Sequence, residues 1–396
     1  MINLIPRDLW QYNLNDFFSS LFSVCETVRN DSSQMLIKNV GDCLTICSGR
    51  AALTIALKVL GLPDGARIGV PLFCCPVVFE AIRLAGAKPV FIDCSRNDFC
   101  ISIEDLKEKI NGLDCLIVVH MFGNSADMDE VMKIASGIPV IEDCAQALGS
   151  RYHDIALGNF GSLAIFSFRS GKYISSGEGG GIYTRNQKIY SRCLTTMEGL
   201  SEKGRIEETK HVFSIAIKSL LRQKPLYGML GLRLWSFYNK TVSASREHIN
   251  LFKVIYSDFK LAQNRLSYLD NMVNKQREIA AFYLKSLKLE REMLCWEKEG
   301  SFYNRLYFPI TFPSKKVRDK MAEFLFRCGI DTMKYLDGVV EIARRYFGYN
   351  GGCPFSEFLS ERVLNIPVYY TLKPDEIMKV VHAVNTGWGA YTNMLK

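Results

Sequence analysis

Lys172 lies in the run Ile165-Phe166-Ser167-Phe168-Arg169-Ser170-Gly171-Lys172-Tyr173-Ile174-Ser175-Ser176-Gly177-Glu178-Gly179-Gly180-Gly181, which joins an apolar strand, a serine, a lysine and a glycine-rich turn. Glycines let the backbone pass close to a ligand. A lysine set between apolar strands loses hydration, which lowers its pKa and frees its lone pair for imine formation. Upstream, Ile141-Glu142-Asp143-Cys144-Ala145-Gln146-Ala147 ends an apolar strand on an acid pair, and Asp143 is expected to direct its carboxylate out of the strand's C-terminal end. The alternative is an acid that caps the next helix. Ser48-Gly49-Arg50-Ala51-Ala52-Leu53 opens a helix whose first amides could receive a phosphate, although alone it reads as an ordinary serine N-cap. Pyridoxal 5'-phosphate chemistry needs a lysine for the imine, an acid against the pyridine nitrogen, and a cup of amides and hydroxyls for the phosphate. The three segments offer a residue for each.

These residues need a scaffold that brings strand ends together. From about Leu44 the chain alternates short apolar runs with amphipathic stretches, the pattern of a parallel sheet covered by crossover helices. Helices are predicted over Ala51–Leu60 and Val77–Ala85, and strands over Arg67–Pro71, Lys88–Asp93, Leu113–His120 and Ile138–Glu142. No Gly-x-Gly-x-x-Gly follows the first strand, which argues against a simple dinucleotide-binding fold. Val254–Leu287 reads as one long helix with Phe259, Leu266, Leu269, Met272, Val273, Ile279 and Phe282 near one face. A smaller C-terminal unit begins near Leu289, with a strand at Leu306–Ile310, a helix at Lys316–Cys328 ended by Gly329, and a last helix from Pro374 to Val384. The domain reading is 1–250 for a large domain, with 201–250 as a basic and apolar insertion, and 251–396 for a linking helix and small domain.

At 396 residues the chain is long enough for a large core shared between two domains, and 48% hydrophobic with 23% charged residues is ordinary globular composition. A net charge of +8 without a basic run interleaved with aromatics makes nucleic acid an unexpected partner. Thirteen cysteines, odd in number and mostly in apolar runs, fit free thiols in a reducing cytoplasm. No paired Cys-x-x-Cys spacing points to a metal. Met1 to Trp10 lacks the features of a secretory signal, so a cytoplasmic location is expected.

The motif segments resemble the DegT/StrS group of nucleotide-sugar aminotransferases, which share Glu-Asp-x-Ala-Gln and Phe-Ser-Phe-x-x-x-Lys followed by Gly-Glu-Gly-Gly. Ser48–Leu53 is similar to the group's Ser-Gly-Thr-Ala-Ala-Leu. Further similar blocks are Val70-Pro71, Ala85–Asp93, His120–Gly123, Ala126–Met128, Cys328–Thr332 and Asn365–Val368. The resemblance implies an α/β fold of the fold-type I aminotransferases: a large three-layer α/β/α domain with a mostly parallel sheet, plus a smaller C-terminal α/β domain. It implies that Lys172 is the Schiff-base lysine, that Asp143 pairs with the pyridine nitrogen, that Gln146 lies beside the ring, and that Ser167 binds the phosphate. Gly49, Arg50 and Ala51 then fall at the phosphate cup and Cys75 over the cofactor face. An amino acid such as glutamate, a nucleotide-linked ketosugar and a role in aminosugar or cell-surface polysaccharide biosynthesis are likewise implied, as is a homodimer.

Arg50 stands where the group has threonine, and Cys75 where many relatives have an aromatic ring. Lys253-Val254-Ile255-Tyr256 stands where the group has Asn-Tyr-Arg-Met. A sugar dehydratase of the same fold is an alternative, but its best-known branch replaces the lysine by histidine. A binding or regulatory protein that keeps the fold without the chemistry is another. His211 to Tyr238 looks inserted. It is too short in apolar run to span a membrane, and is read as a hairpin packed on the enzyme or as an amphipathic pair touching anionic lipid through its cations, Trp235, Phe237 and Tyr238.

Overall fold

The computed structural model describes residues 3–8, 10, 12–29, 31–232 and 249–393. After helix α1 (Leu14–Cys25) come strands β1 (Gln34–Ile37) and β2 (Gly41–Ile46), helix α2 (Gly49–Val59), β3 (Arg67–Pro71), α3 (Pro76–Leu84) and β4 (Lys88–Ile92). Then follow α4 (Ile103–Lys109), β5 (Cys115–Val119), α5 (Met128–Ile134), β6 (Val140–Asp143), the short β7 (Arg151–Tyr152) and β8 (Ile155–Ala156), β9 (Leu163–Ser167), β10 (Gly180–Tyr183), α6 (Gln187–Glu198) and α7 (Arg205–Leu220). An eight-stranded sheet runs β1-β2-β10-β9-β6-β5-β3-β4. Its β4, β3, β5, β6 and β9 are mutually parallel, and β10 returns antiparallel to β9 and β2. β5 is buried at every position, as a strand covered on both faces must be.

The second half contains α8 (Tyr256–Leu266), α9 (Leu269–Ser286), β11 (Ser301–Phe302), β12 (Phe308–Thr311), α10 (Lys315–Arg327), α11 (Val339–Phe347), α12 (Pro354–Ser360), β13 (Val363–Ile366) and α13 (Pro374–Asn393). Two large hydrophobic cores result, with a small third cluster of Tyr12, Ile215 and Leu261 between α7, α8 and the N-terminal segment. One surrounds the large sheet and takes in Phe259, Met272, Val273, Val339 and Leu359; the other gathers Ile279, Tyr283, Phe308, Ile310, Leu325, Val380 and Trp388 around the β12–β13 pair. Asp93, just past β4, joins the two halves of the chain: its carboxylate accepts from the N–H of Phe355 at 2.9 Å and from the N–H and hydroxyl of Ser356 at 2.7 Å.

The expected elements recur with shifted ends. The single long helix over 254–287 is the exception. It breaks at Ser267-Tyr268, where the Ser267 hydroxyl donates to the Asn264 carbonyl at 2.6 Å and Tyr268 leaves helical geometry with φ −105° and ψ 2°. A hydroxyl that bonds a carbonyl of the preceding turn competes with the backbone donor the helix needs. Of the apolar face expected there, Phe259, Leu269, Met272, Val273 and Ile279 are buried in their own chain, Leu266 is half-buried, and Phe282 is exposed. The expected strand at Leu306–Ile310 begins two residues later, at Phe308. The last helix runs on past Val384 to Asn393.

In the stretch read from the sequence as inserted, α7 packs on α1 and the N-terminal segment, with Val212, Ile215 and Ser219 buried and the Ser219 hydroxyl donating to the carbonyl of Tyr12 at 3.0 Å. Trp235, Phe237 and Tyr238 fall outside the described residues. Among the described residues no helix is long and apolar enough to cross a membrane. All thirteen cysteines are free thiols, and ten are buried.

The acid pair at the end of β6 divides by strand alternation. Glu142, fully buried, turns toward the turn before β9, where its carboxylate accepts from the N–H groups of Phe160 and Gly161 at 2.7 Å and of Gly158 at 2.8 Å, and faces His120 Nε2 at 3.2 Å. The Ala126 N–H donates to His120 Nδ1 at 3.3 Å, so the imidazole proton belongs on Nε2, pointing at Glu142. Glu142→Ala would leave three buried amides without an acceptor. We expect it to lower unfolding stability by about 3 kcal/mol, read from the urea midpoint. A change under about 1 kcal/mol would show that the network holds without its carboxylate.

Candidate active site

The C-terminal ends of β5, β6 and β9, the N-termini of α2 and α3, the Arg169–Lys172 turn, residues 333–336 and the N-terminal segment enclose a cavity of roughly 450 Å³. α2 enters it because Ser48 is extended and caps the helix, its hydroxyl accepting from Ala51 N–H at 3.2 Å. That bond uses the Ala51 amide, and Ala51 is buried off the cavity wall, while Ser48, Gly49 and Arg50 line it. Gly49 must be glycine: a Cβ there would lie 2.9 Å from Ser167 Cβ and 3.2 Å from its hydroxyl. Gly180 is equally constrained, since its Cβ would meet Ser48 C at 2.4 Å. Among the described residues the Ser167 hydroxyl has no protein hydrogen-bond partner, though it lines the cavity beside the helix amides. A hydroxyl and amides converging at a positive helix end suit a phosphate.

Lys172 is placed by backbone bonds. The Phe168 N–H donates to the Gly179 carbonyl at 2.9 Å, Ser170 N–H to Gly177 at 3.0 Å, and Lys172 N–H to Arg169 at 3.1 Å, so strand, turn and glycine loop form one unit. Lys172 Nζ stands 5.8 Å from the centroid of the Tyr307 ring. Burial pushes its ammonium down to about 8, Arg169 pushes the same way, and Asp143 and Cys75 oppose them. Asp143 is buried and accepts from Ala145 N–H at 3.0 Å. Burial raises its carboxyl, against the pull of that amide, Lys172 and His120. An acid so placed gains from a cationic ring N–H.

Gln146 lines the cavity, its amide donating to Tyr335 Oη at 2.8 Å and accepting from Phe122 N–H at 3.1 Å. Cys75 lines it too, exposed at the N-cap of α3. The structure therefore gathers Lys172, Asp143, Gln146, Ser167, Gly49, Arg50 and Cys75 at one cavity and leaves out Ala51. The residues that sequence reasoning missed come from elsewhere: Asp8 and Trp10 from the N-terminal segment, Arg222 from the insertion, Tyr307 and Tyr335 from the second half. No local spacing marks any of them. Arg169 and Glu178 were within the quoted motif, but nothing distinguished them from solvated charges.

Helices α7 and α8 also support the glycine loop. Asp258 of α8 accepts from Glu178 N–H at 3.1 Å and from His211 Nε2 of α7 at 2.7 Å. Burial raises the Asp258 carboxyl to about 6, with His211 opposing. Gly177, at φ +116°, lies so close that a Cβ would sit 2.8 Å from Asp258 and 2.2 Å from Ile215.

A two-core α/β chain with a desolvated lysine, a buried acid and a helix-end anion cradle at one strand-end cavity has the layout of an aminotransferase. The family model for the DegT/DnrJ/EryC1/StrS aminotransferase family matches residues 35–220 and 259–385, and the chain belongs to that family. It is 26% identical over 346 residues to GDP-perosamine synthase of Escherichia coli O157:H7, covering 86% of this chain and 84% of that one. It is 27% identical over 352 residues to dTDP-3-amino-3,6-dideoxy-alpha-D-galactopyranose transaminase of Aneurinibacillus thermoaerophilus, covering 87% and 85%. In fold it is similar to a sugar aminotransferase from Streptococcus pneumoniae solved in its PMP form, with a TM-score of 0.77, 17% identity and coverage of 98% and 99%.

If burial sets the lysine as described, competitive acylation of the cofactor-free protein should show Lys172 half-reactive near pH 8, well below the ~10.4 of a free lysine. Asp143→Asn removes a charge that favours the ammonium and should move the midpoint lower still. A midpoint near the free-lysine value would show Lys172 to be solvated.

Proposed function

We propose that this aminotransferase uses pyridoxal 5'-phosphate to move an amino group from an amino-acid donor, glutamate, to the carbonyl of a nucleotide-linked ketosugar. The observation that carries the reading is Lys172: its amine is held down to about 8 at the same cavity as Asp143 and the Gly49–Ser167 cradle. The cofactor supplies, when bound, an aldehyde joined to a ring that accepts the electron pair left at a substrate carbon. The amides of Gly49 and Arg50 with the Ser167 hydroxyl are suited to its phosphate, and Asp143 to the proton on its ring nitrogen. Lys172 Nζ would be the base that takes the proton from the donor's α-carbon and, in the second half-reaction, would return a proton at the sugar carbon. The names of the two relatives, GDP-perosamine synthase and a dTDP-aminosugar transaminase, support a nucleotide-linked sugar. Retention of Lys172 favours transamination over dehydration, and the free thiols fit a reducing cytoplasm.

Lys172→Ala should abolish turnover while the far-ultraviolet spectrum stays that of the parent, and borohydride should fix the cofactor to the peptide holding residue 172. A label on another lysine excludes the assignment. Asp143→Asn should still bind cofactor but lose at least ~100-fold in kcat, because an amide does not hold the ring proton; a few-fold change would remove Asp143 from that role.

We propose further that the enzyme is a homodimer. Leu14, Phe18 and Phe22 of α1 and Phe213, Ile217 and Leu220 of α7 are exposed, and such a surface is ordinarily covered. A second reading places part of this face, with Lys218 and Lys224, against anionic lipid, while Arg222 of the same stretch is buried against Asp8. Sedimentation equilibrium should give twice the chain mass, with Phe18→Glu and Phe213→Glu weakening association. An active monomer excludes the dimer, and salt-sensitive flotation with phosphatidylserine vesicles would instead support the lipid contact.

A further inference from the structure

Two substrates that share little else must use one cavity in turn. Under the reading above, on which this inference rests, both carry an anion: the donor its carboxylate, the acceptor its phosphates. The cavity wall holds several cations, and most are already committed. Arg7 pairs with Asp331 at 3.4 Å, Lys334 with Asp319 at 2.7 Å, and Arg222 with Asp8 while covering the Trp10 ring at 4.4 Å. Arg50 stands beside Gly49 at the helix end suited to the cofactor's phosphate.

Arg169 differs. Among the described residues its guanidinium has no hydrogen bond or ion pair, although it lines the cavity together with the carboxylates of Asp8, Asp143 and Glu178. The side chain is exposed, but its backbone is held in place. Arg169 is bridged to Gly177 through the backbone, and its carbonyl accepts from the Lys172 N–H at 3.1 Å. In an α-amino acid the carboxylate carbon is attached to the carbon that bears the nitrogen, so a donor whose amine reaches Lys172 brings its carboxylate within a few ångströms of this turn. A guanidinium offers the fork that carboxylates and phosphates accept.

We propose that Arg169 is a substrate-anion residue of this site, one that determines specificity by binding a carboxylate or phosphate group of the substrates rather than by carrying out the proton transfers. Its charge has a second effect, since it helps to keep the neighbouring Lys172 unprotonated. A bound anion would offset that influence at the moment the lysine must begin to handle protons.

The test uses the holoenzyme with unreactive probes, so that it reads out even if the proposed chemistry fails. Glutarate stands for the donor's carboxylates and GDP for the acceptor's phosphates, each titrated calorimetrically into the parent, Arg169→Gln and Arg169→Lys. We expect Arg169→Gln to weaken at least one probe by ~ten-fold or more and Arg169→Lys to restore part of the loss. Weakening of glutarate alone assigns the donor, of GDP alone the acceptor, and of both a shared site; each supports the proposal. In steady state the same variant should raise KM for the affected substrate far more than it lowers kcat. Unchanged affinity for both probes overturns the proposal. So does a variant that loses affinity for pyridoxal 5'-phosphate while binding both probes normally, because Arg169 would then belong to the cofactor's phosphate cup. If the parent binds the probes through Arg169 yet transaminates no ketosugar, the functional reading fails and the anion site stands.

Discussion

An amine that must attack a carbonyl and later carry protons has to be free of its own proton for a useful fraction of the time, and an ammonium is among the best hydrated groups in a protein. In the role proposed for Lys172 this is resolved by withdrawing the side chain from water, so that burial lowers the pKa to about 8. Much of the surrounding architecture serves that withdrawal. β9 delivers the lysine at a strand end, the Arg169–Lys172 turn locks onto the glycine loop, and the loop is held by Asp258 and Ile215 from two other helices. Asp143, from the neighbouring strand, works against full neutrality, which keeps the amine able to regain a proton.

The cradle opposite depends on the absence of side chains rather than on their presence. α2 approaches β9 and β10 so closely that Gly49 and Gly180 have no room for a methyl group. This explains how a helix end, a strand-end hydroxyl and the lysine turn meet at one cavity. Arg50 also lines the cavity, but the close approach is made by its neighbour Gly49.

What could be read from the sequence was local. Alternating apolar and amphipathic stretches located the parallel strands and their helices, because burial on both faces and a capping serine leave marks within a few residues. That Lys172 and Asp143 would meet at one cavity was legible because motif and strand end coincide. The division of labour between Glu142 and Asp143 was not, since it depends on the turn before β9 that Glu142 binds. The break at Ser267-Tyr268 was missed because a hydroxyl bonding back to Asn264 leaves the hydrophobic period intact. Arg222, Tyr307 and Trp10 were invisible at the site for a topological reason: each is brought there by contacts with residues far away in the chain.

The N-terminal segment illustrates this most sharply. Ile5 N–H donates to the Gly329 carbonyl at 2.9 Å and Asp331 N–H donates back to Ile5 at 2.9 Å, which sets Asp8 and Trp10 against Gly171, next to Lys172. The segment that holds Asp8 and Trp10 thus finds its place only once residues near 330 are there to pair with it. Until residues near 330 have been made, the lysine turn lacks part of its wall and water reaches it. Until then the amine at position 172 stays closer to an ordinary lysine's, so its desolvation depends on two segments distant in the sequence having met.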